Sequence, residues 1–70
     1  MTDFNATMIA EGVDEANAET QLKAWAHLIR TGLAYRLQGW FGRTAANLID
    51  SGYITSSGEI TDKGYDAVKE

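Results

Sequence analysis

Apolar residues recur with helical spacing through the first half of this chain. The apolar positions of the first run are separated by three or four residues: Ala18, Leu22, Trp25, Ile29 and Leu33. Such spacing puts all of them on one face of a helix. Asp14 is a suitable N-cap residue ahead of the run, and Gly32 is a suitable C-terminal stop. The pattern predicts a helix over residues 15–31 with its apolar face in the core.

A short second helix is predicted at residues 33–37, where the apolar pattern continues, and a further helical run follows it. Phe41, Ala45, Leu48 and Gly52 are spaced by four, three and four positions, which predicts a helix over residues 41–51 that ends at Gly52. The two runs and the apolar residues near the end of the chain give a predicted core: Leu22, Trp25, Ile29, Leu33, Leu37, Phe41, Ala45, Leu48, Ile54 and Ile60.

The two ends of the chain have less regular patterns. Apolar and polar residues alternate only in part from Phe4 to Val13, so residues 1–13 are predicted to be a short strand or an ordered arm. Two short β segments around Ser56-Ser57-Gly58 predict a β-hairpin. Thr61 or Asp62 can cap a closing helix over residues 62–68, with Tyr65 and Val68 turned inward.

These elements predict one domain over residues 1–70, with a compact core in residues 14–70. The fold class is helix-rich α+β, and the order of helix, short helix, helix, hairpin and helix is that of a winged helix-turn-helix. Gly39 and Gly42 bracket Trp40 and Phe41. Because glycine relaxes the backbone, this segment is interpreted as a sharp change of chain direction that wedges the aromatics between neighbouring elements.

Composition argues against catalysis. The chain has 70 residues, no cysteine and a single histidine, His27. A thiolate metal site, a multi-histidine centre and a Ser-His-Asp triad therefore lack their residues, so we expect no enzyme, no metal and no cofactor, and no role for His27. No apolar run is long enough for a membrane span, and the sequence shows no signal-peptide pattern. We therefore expect a protein of the cytoplasm without membrane contact.

Charge is sorted along the sequence. The net charge is −4, but residues 1–21 hold five acids and no base, and residues 22–49 hold four bases and no acid. Acids again exceed bases from residue 50 onward. The sorting fits either internal balance and solubility or an acidic binding face.

The acidic-face hypothesis assigns binding to carboxylates of both ends and to one aromatic residue. They would mimic phosphate charge toward a basic, nucleic-acid-binding surface of another protein, with the aromatic side chain as the anchoring contact. The candidate partner-binding residues are Glu11, Asp14, Glu15, Glu19, Asp62, Asp66 and Trp40.

A DNA-binding regulator is the alternative. In a winged helix-turn-helix, Arg43, Thr44 and Asn47 would reach base edges and Arg36 a phosphate. The pI near 4.7 and the acid Glu59 in the predicted wing both oppose binding to DNA phosphates, so direct nucleic-acid binding is the less favoured hypothesis.

The segment Leu37-Gln38-Gly39-Trp40-Phe41-Gly42-Arg43-Thr44-Ala45 resembles a segment of small uncharacterised proteins of phages and mobile elements. Size and acidity are also similar to those of phage-encoded anti-CRISPR proteins, notably inhibitors of type I systems. The resemblance implies a non-enzymatic inhibitor in the cytoplasm of a host bacterium. The expected partner is a host protein, with a subunit of a type I CRISPR surveillance complex as one candidate, and the chain would act as a monomer or a homodimer.

Overall fold

The computed structural model describes residues 1–13 and 15–69, which form four α-helices and a 3-10 helix. The helices are α1 (Asp3–Ala10), α2 (Ala18–Thr31), the 3-10 helix (Leu33–Tyr35), α3 (Gly39–Asp50) and α4 (Asp62–Val68). The described residues contain no sheet, and a single antiparallel bridge joins Ile54 to Ile60. The predicted α+β class with a β-hairpin is therefore wrong, because the described part of the chain is all-helical.

Residues 3–10 form α1 where a strand or arm was predicted. Thr2 is the N-cap, and its side chain accepts a hydrogen bond from the Asn5 amide at 3.1 Å. The partial alternation of apolar and polar residues therefore does not mark the two faces of a strand. Successive residues of a helix are rotated by about 100°, which places these apolar side chains on different sides of α1. Ala6 is consequently fully buried against α2, whereas Phe4 points away and is 71% exposed.

The long helix α2 confirms the main helical prediction, although it begins three residues later than expected. Asn17 is the N-cap and accepts from the Thr20 amide at 2.8 Å, while the predicted cap, Asp14, lies outside the described residues. Gly32 ends the helix in the left-handed conformation, as predicted. The later start leaves residues 11–17 to carry the chain from α1 into α2.

The core confirms the apolar pattern. Six of its predicted members are buried: Leu22, Trp25, Ile29, Phe41, Ala45 and Ile54. The other four pack against the core and are partly exposed: Leu33, Leu37, Leu48 and Ile60. Buried residues that were not in the predicted core are mostly small: Ala6, Ala24, Ala26, Leu28 and Ala34. Small residues let helix backbones approach closely, so they mark the tightest helix contacts.

The chain changes direction before Trp40 and Phe41, so the predicted turn at Gly39–Gly42 is wrong. Both glycines lie within α3, and neither has a positive φ angle. The reversal instead uses Gly32, at φ 79°, and the 3-10 helix that follows. The sequence pattern alone cannot distinguish a turn at Gly39–Gly42 from one at Gly32, because glycine occurs both at helix ends and within helices.

Only residues 51–61 separate α3 from α4, and most of them are used for turns. Gly52 ends α3. Its amide donates to the Ile49 carbonyl at 2.9 Å, and the Tyr53 amide donates to the Leu48 carbonyl at 3.1 Å. Thr61 then caps α4. One bridging pair fits between these turns, which explains why the predicted hairpin is reduced to a bridge.

The closing helix confirms its predicted bounds of 62–68, and of the two predicted caps Thr61 is the N-cap. Its orientation differs in part from the prediction. Val68 packs against the core, but Tyr65 is 48% exposed and Gly64 is buried in its place. Gly64 faces the Tyr53 carbonyl, an approach that leaves no room for a side chain.

Candidate protein-binding surface

The junction between α1 and α2 holds the acids of the N-terminal third. Glu11 is the C-cap of α1, Glu15 precedes α2, and Glu19 lies in the first turn of α2; all three are exposed. Asp14, the remaining candidate here, lies outside the described residues. The junction is fixed at its base by Gln21, whose side-chain amide donates to the Ile9 carbonyl at 3.0 Å. This bond ties the end of α1 to the second turn of α2, between which the junction acids lie.

Glu11, Glu15, Glu19 and Lys23 are spaced by four residues, but they do not form one helical ridge of charge, because α1 ends at Ala10 and α2 begins at Ala18. Only Glu19 and Lys23 lie in the same helix. Glu19 and Lys23 form an ion pair at 3.3 Å with both side chains about half exposed, as the four-residue spacing predicts. Exposed pairs of this kind contribute little stability. The charge of Glu19 is thus partly balanced, and Glu11 and Glu15 form no salt bridge within the described residues.

The two acids of α4 lie on a helix that contains none of the junction acids. Asp62 is in the first turn of α4 and Asp66 lies one turn later, both on the exposed side. The C-terminal end of α4 lies beside the start of α2, where Asn17, Glu19, Val68 and Lys69 line a shallow depression. The structure therefore places the acids in two groups, one at the junction and one along α4.

Trp40, the predicted anchoring aromatic, belongs to a three-ring cluster. Its ring stacks on Phe41 with centroids 3.9 Å apart and meets Trp25 edge-on at 6.1 Å. Phe41 is 1% exposed, and Trp40 is partly buried against the same core. Part of the Trp40 ring is thus already used for packing. Its anchoring role remains a prediction.

The three residues of the DNA-binding alternative do not share one surface. Arg43 and Asn47 are exposed and lie one turn apart on α3. Thr44 is partly buried and lines an apolar groove between α2, α3 and α4, along with Leu22, Trp25, Leu48 and Val68. Only two of the three predicted base-contacting residues are therefore available on one face.

The loop predicted as a DNA-contacting wing is held against α2. Gly58 is buried at φ 88°, and a Cβ atom there would lie 2.5 Å from the Cβ of Arg30 and 2.7 Å from the Ala26 carbonyl oxygen. The Arg30 guanidinium also reaches the Gly58 carbonyl at 3.5 Å. A wing must project from its domain to reach a groove. Gly58 instead anchors this loop on α2, while Ser56, Ser57 and Glu59 around it are exposed.

His27, to which the sequence assigned no role, links α1 to α2. Its Nε2 lies 2.7 Å from a carboxylate oxygen of Asp3, and its Nδ1 lies 3.4 Å from the Arg30 guanidinium. The contact with Asp3 joins the start of α1 to the middle of α2. The partners are 24 residues apart, so local spacing carried no signal for this contact.

The described residues contain no cluster of three His, Asp or Glu side chains arranged to hold a metal ion. Nor does this part of the chain include a helix of the length and apolarity that a membrane crossing requires. Phe4 is the most exposed large apolar residue, and the sequence pattern did not single it out as a surface residue.

Comparison with known proteins places the chain by family. No curated protein and no solved structure matches it. One family model matches residues 1–70, and its description is "Domain of unknown function (DUF7417)". A match over the whole chain shows membership. The chain therefore belongs to the DUF7417 family of domains of unknown function.

Proposed function

We propose that this domain is a non-enzymatic binding protein whose exposed carboxylates occupy a basic surface of another protein. One observation carries the proposal: the five described candidate acids are all exposed, and only Glu19 among them forms a salt bridge within the described residues. Exposed, unbalanced acids on a protein of net charge −4 leave a negative field available to a partner.

The finer form of the proposal is inhibition of a host defence complex. Proteins that bind nucleic acid carry basic grooves, and acids held on a folded scaffold are suited to compete for them. The resemblance of Leu37–Ala45 to proteins of phages and mobile elements supports a phage origin. The similarity in size and acidity to anti-CRISPR proteins supports a type I CRISPR surveillance complex as the target. The site of action would then be the cytoplasm of the host bacterium.

A DNA-binding regulator is the competing function. Arg43 and Asn47, exposed one turn apart on α3, favour it because arginine and asparagine read guanine and adenine edges. Thr44 in the apolar groove and the loop anchored on α2 at Gly58 oppose it. The acidic protein-binding function is the better supported of the two.

A plaquing assay tests the proposal. A bacterium with an active type I CRISPR system expresses the chain, and the plaquing efficiency of a phage that this system targets is measured. We expect the wild-type chain to raise plaquing and the double variant Glu11→Lys/Glu15→Lys to lose the effect, because it reverses the charge at the junction. Affinity capture of the CRISPR subunits by the same two proteins reports binding directly, and raised salt should slow association.

The matched control is Asp50→Lys/Glu59→Lys, which changes the net charge equally at exposed acids outside both candidate groups. It should behave as wild type. A further variant, Arg43→Ala/Asn47→Ala, should also inhibit normally. If this variant alone loses activity, and the wild-type chain retards double-stranded DNA in a gel, the regulator function replaces our proposal.

A further inference from the structure

The helix α1 carries apolar side chains on two opposite faces. Its inner face packs on α2 through Ala6, which is fully buried, and Ile9, which is partly buried. Phe4 and Met8 are four residues apart and therefore share the other face. Phe4 is 71% exposed, and Met8 is half-buried. Large apolar side chains grouped on an exposed helix face are typical of a contact surface. The outer face of α1 thus has the composition of a contact surface.

The turn after α1 extends this face by one residue. Gly12 is left-handed at φ 80°, its amide donates to the Ile9 carbonyl at 3.0 Å, and the Val13 amide donates to Met8 at 3.0 Å. In this helix-ending motif the residue after the glycine usually packs beside the helix residue to which its amide bonds. Val13 is 60% exposed. We call the set Phe4, Met8 and Val13 the α1 strip.

Negative charge borders the α1 strip. Glu11 follows Met8 by three positions and Phe4 by seven, so it continues the same helix face. Glu15, also exposed, lines a depression together with Gly12, the residue next to Val13. Lysine and arginine are missing from residues 1–21 altogether. The strip is therefore an apolar centre with an acidic rim, which is the arrangement of many protein-binding sites.

The negative charge at the edge of the α1 strip indicates which kind of partner can bind it. A second copy would bring the same net charge of −4 to the contact, so two copies repel each other. Like charges brought together in this way oppose association. A partner whose apolar surface is bordered by lysine or arginine would instead match both parts of the strip.

We propose that the α1 strip, with Glu11 and Glu15 at its edge, is the docking surface of this domain. Its partner is a protein segment that presents an apolar surface flanked by basic residues. The inference rests on the proposed function and adds the anchor to it: Phe4 provides the apolar contact, in place of Trp40, which packs in the aromatic cluster.

A peptide of defined chemistry tests the inference. The probe is a synthetic amphipathic helix of leucine and lysine, titrated into the full chain labelled with ¹⁵N. We expect the amide signals of residues 3–15 to shift and those of α3 to stay in place. Phe4→Ser should weaken binding about tenfold or more, as truncation of an anchoring side chain does. The same peptide with glutamate in place of lysine should not bind.

Tyr35→Ser is the matched control, because Tyr35 is another exposed aromatic residue, at 56%, on a different part of the fold. It should bind the peptide as wild type does. Phe4→Ser should keep the wild-type unfolding midpoint, since Phe4 contributes little buried surface. Unchanged binding by Phe4→Ser, or shifts confined to α3 and α4, would overturn the inference.

The same titration separates this inference from the proposed function. If Glu11→Lys/Glu15→Lys abolishes binding while Phe4→Ser does not, the acidic surface stands and the α1 strip is wrong as its anchor. If the acid-reversed variant binds as wild type does, the proposed function fails and the inference fails with it. Concentration-dependent dimers in sedimentation that Phe4→Ser abolishes would assign the strip to a second copy and contradict the basic partner.

Discussion

Thr61 is the residue at which the end of α3, the single bridge and α4 meet. Its hydroxyl donates to the Gly52 carbonyl at 2.5 Å, with the Tyr53 carbonyl as a second acceptor at 3.2 Å. The same oxygen accepts from the Gly64 amide at 3.0 Å as the N-cap of α4. The Thr61 side chain therefore links the end of α3, the bridge and α4, a region in which a single β-bridge is the only strand pairing among the described residues.

We expect Thr61→Val to lower the free energy of unfolding by about 1 to 2 kcal/mol, because valine keeps the shape and removes both the cap and the donor. Urea unfolding followed by circular dichroism measures the change. Thr61→Ser retains the hydroxyl and should lose much less. Equal stability of the valine and serine variants would show that packing, and not the hydroxyl, matters at this position.

At the scale of elements, glycines in helices have two different roles. Gly64 lets α4 approach the Tyr53 carbonyl so closely that a Cβ atom would overlap it, and Ile60 lies 3.0 Å from the same point. Gly42, in α3, has space: a Cβ there would lie 3.9 Å from Ala34 and Tyr35, an ordinary contact distance. The sequence pattern pointed to Gly42 as the glycine that the fold requires, and not to Gly64.

We expect Gly64→Ala to destabilise the protein by about 1 to 3 kcal/mol, because α4 must move away from the bridge. Gly42→Ala should instead stabilise it by about 0.5 to 1 kcal/mol, as alanine is the better helix residue. Thermal unfolding of both variants measures the difference. A destabilised Gly42→Ala would restore the hypothesis that residues 39–42 need glycine.

For the whole molecule, stability depends on few large side chains. Phe41, Leu28 and Ile54 are the largest that are fully buried, and Phe41 joins α3 to α2 through its contact with Trp25, with ring centroids 5.7 Å apart. A protein of 70 residues has about 4 to 10 kcal/mol of stability in total. Loss of one such contact is therefore a large fraction of the whole.

We expect Phe41→Ala to cost about 3 to 5 kcal/mol and to leave much of the protein unfolded at 37 °C. Tyr35→Ala, at an exposed position, should change stability by no more than about 0.5 kcal/mol. Hydrogen exchange of the α2 amides gives the measurement. If Phe41→Ala keeps wild-type protection across α2, the aromatic cluster is not the centre of the fold.

The amino-acid sequence by itself determined the elements whose signals are local. The apolar spacing of α2 and α3, the stops at Gly32 and Gly52, the Thr61 cap and most of the core follow from side-chain periodicity and capping chemistry within a few residues. The charge sorting that motivates an acidic binding surface is likewise a property of the sequence.

Tertiary structure decided the features that depend on distant partners. α1 is a helix because Ala6 and Ile9 have α2 to pack against, and an eight-residue helix is marginal by itself. The hairpin is reduced to one bridge because Gly58 is buried against Arg30 and Thr61 is needed as a cap. The exposure of Phe4, the division of the acids into two groups and the His27–Asp3 contact likewise depend on how helices far apart in sequence are placed, which local patterns do not specify.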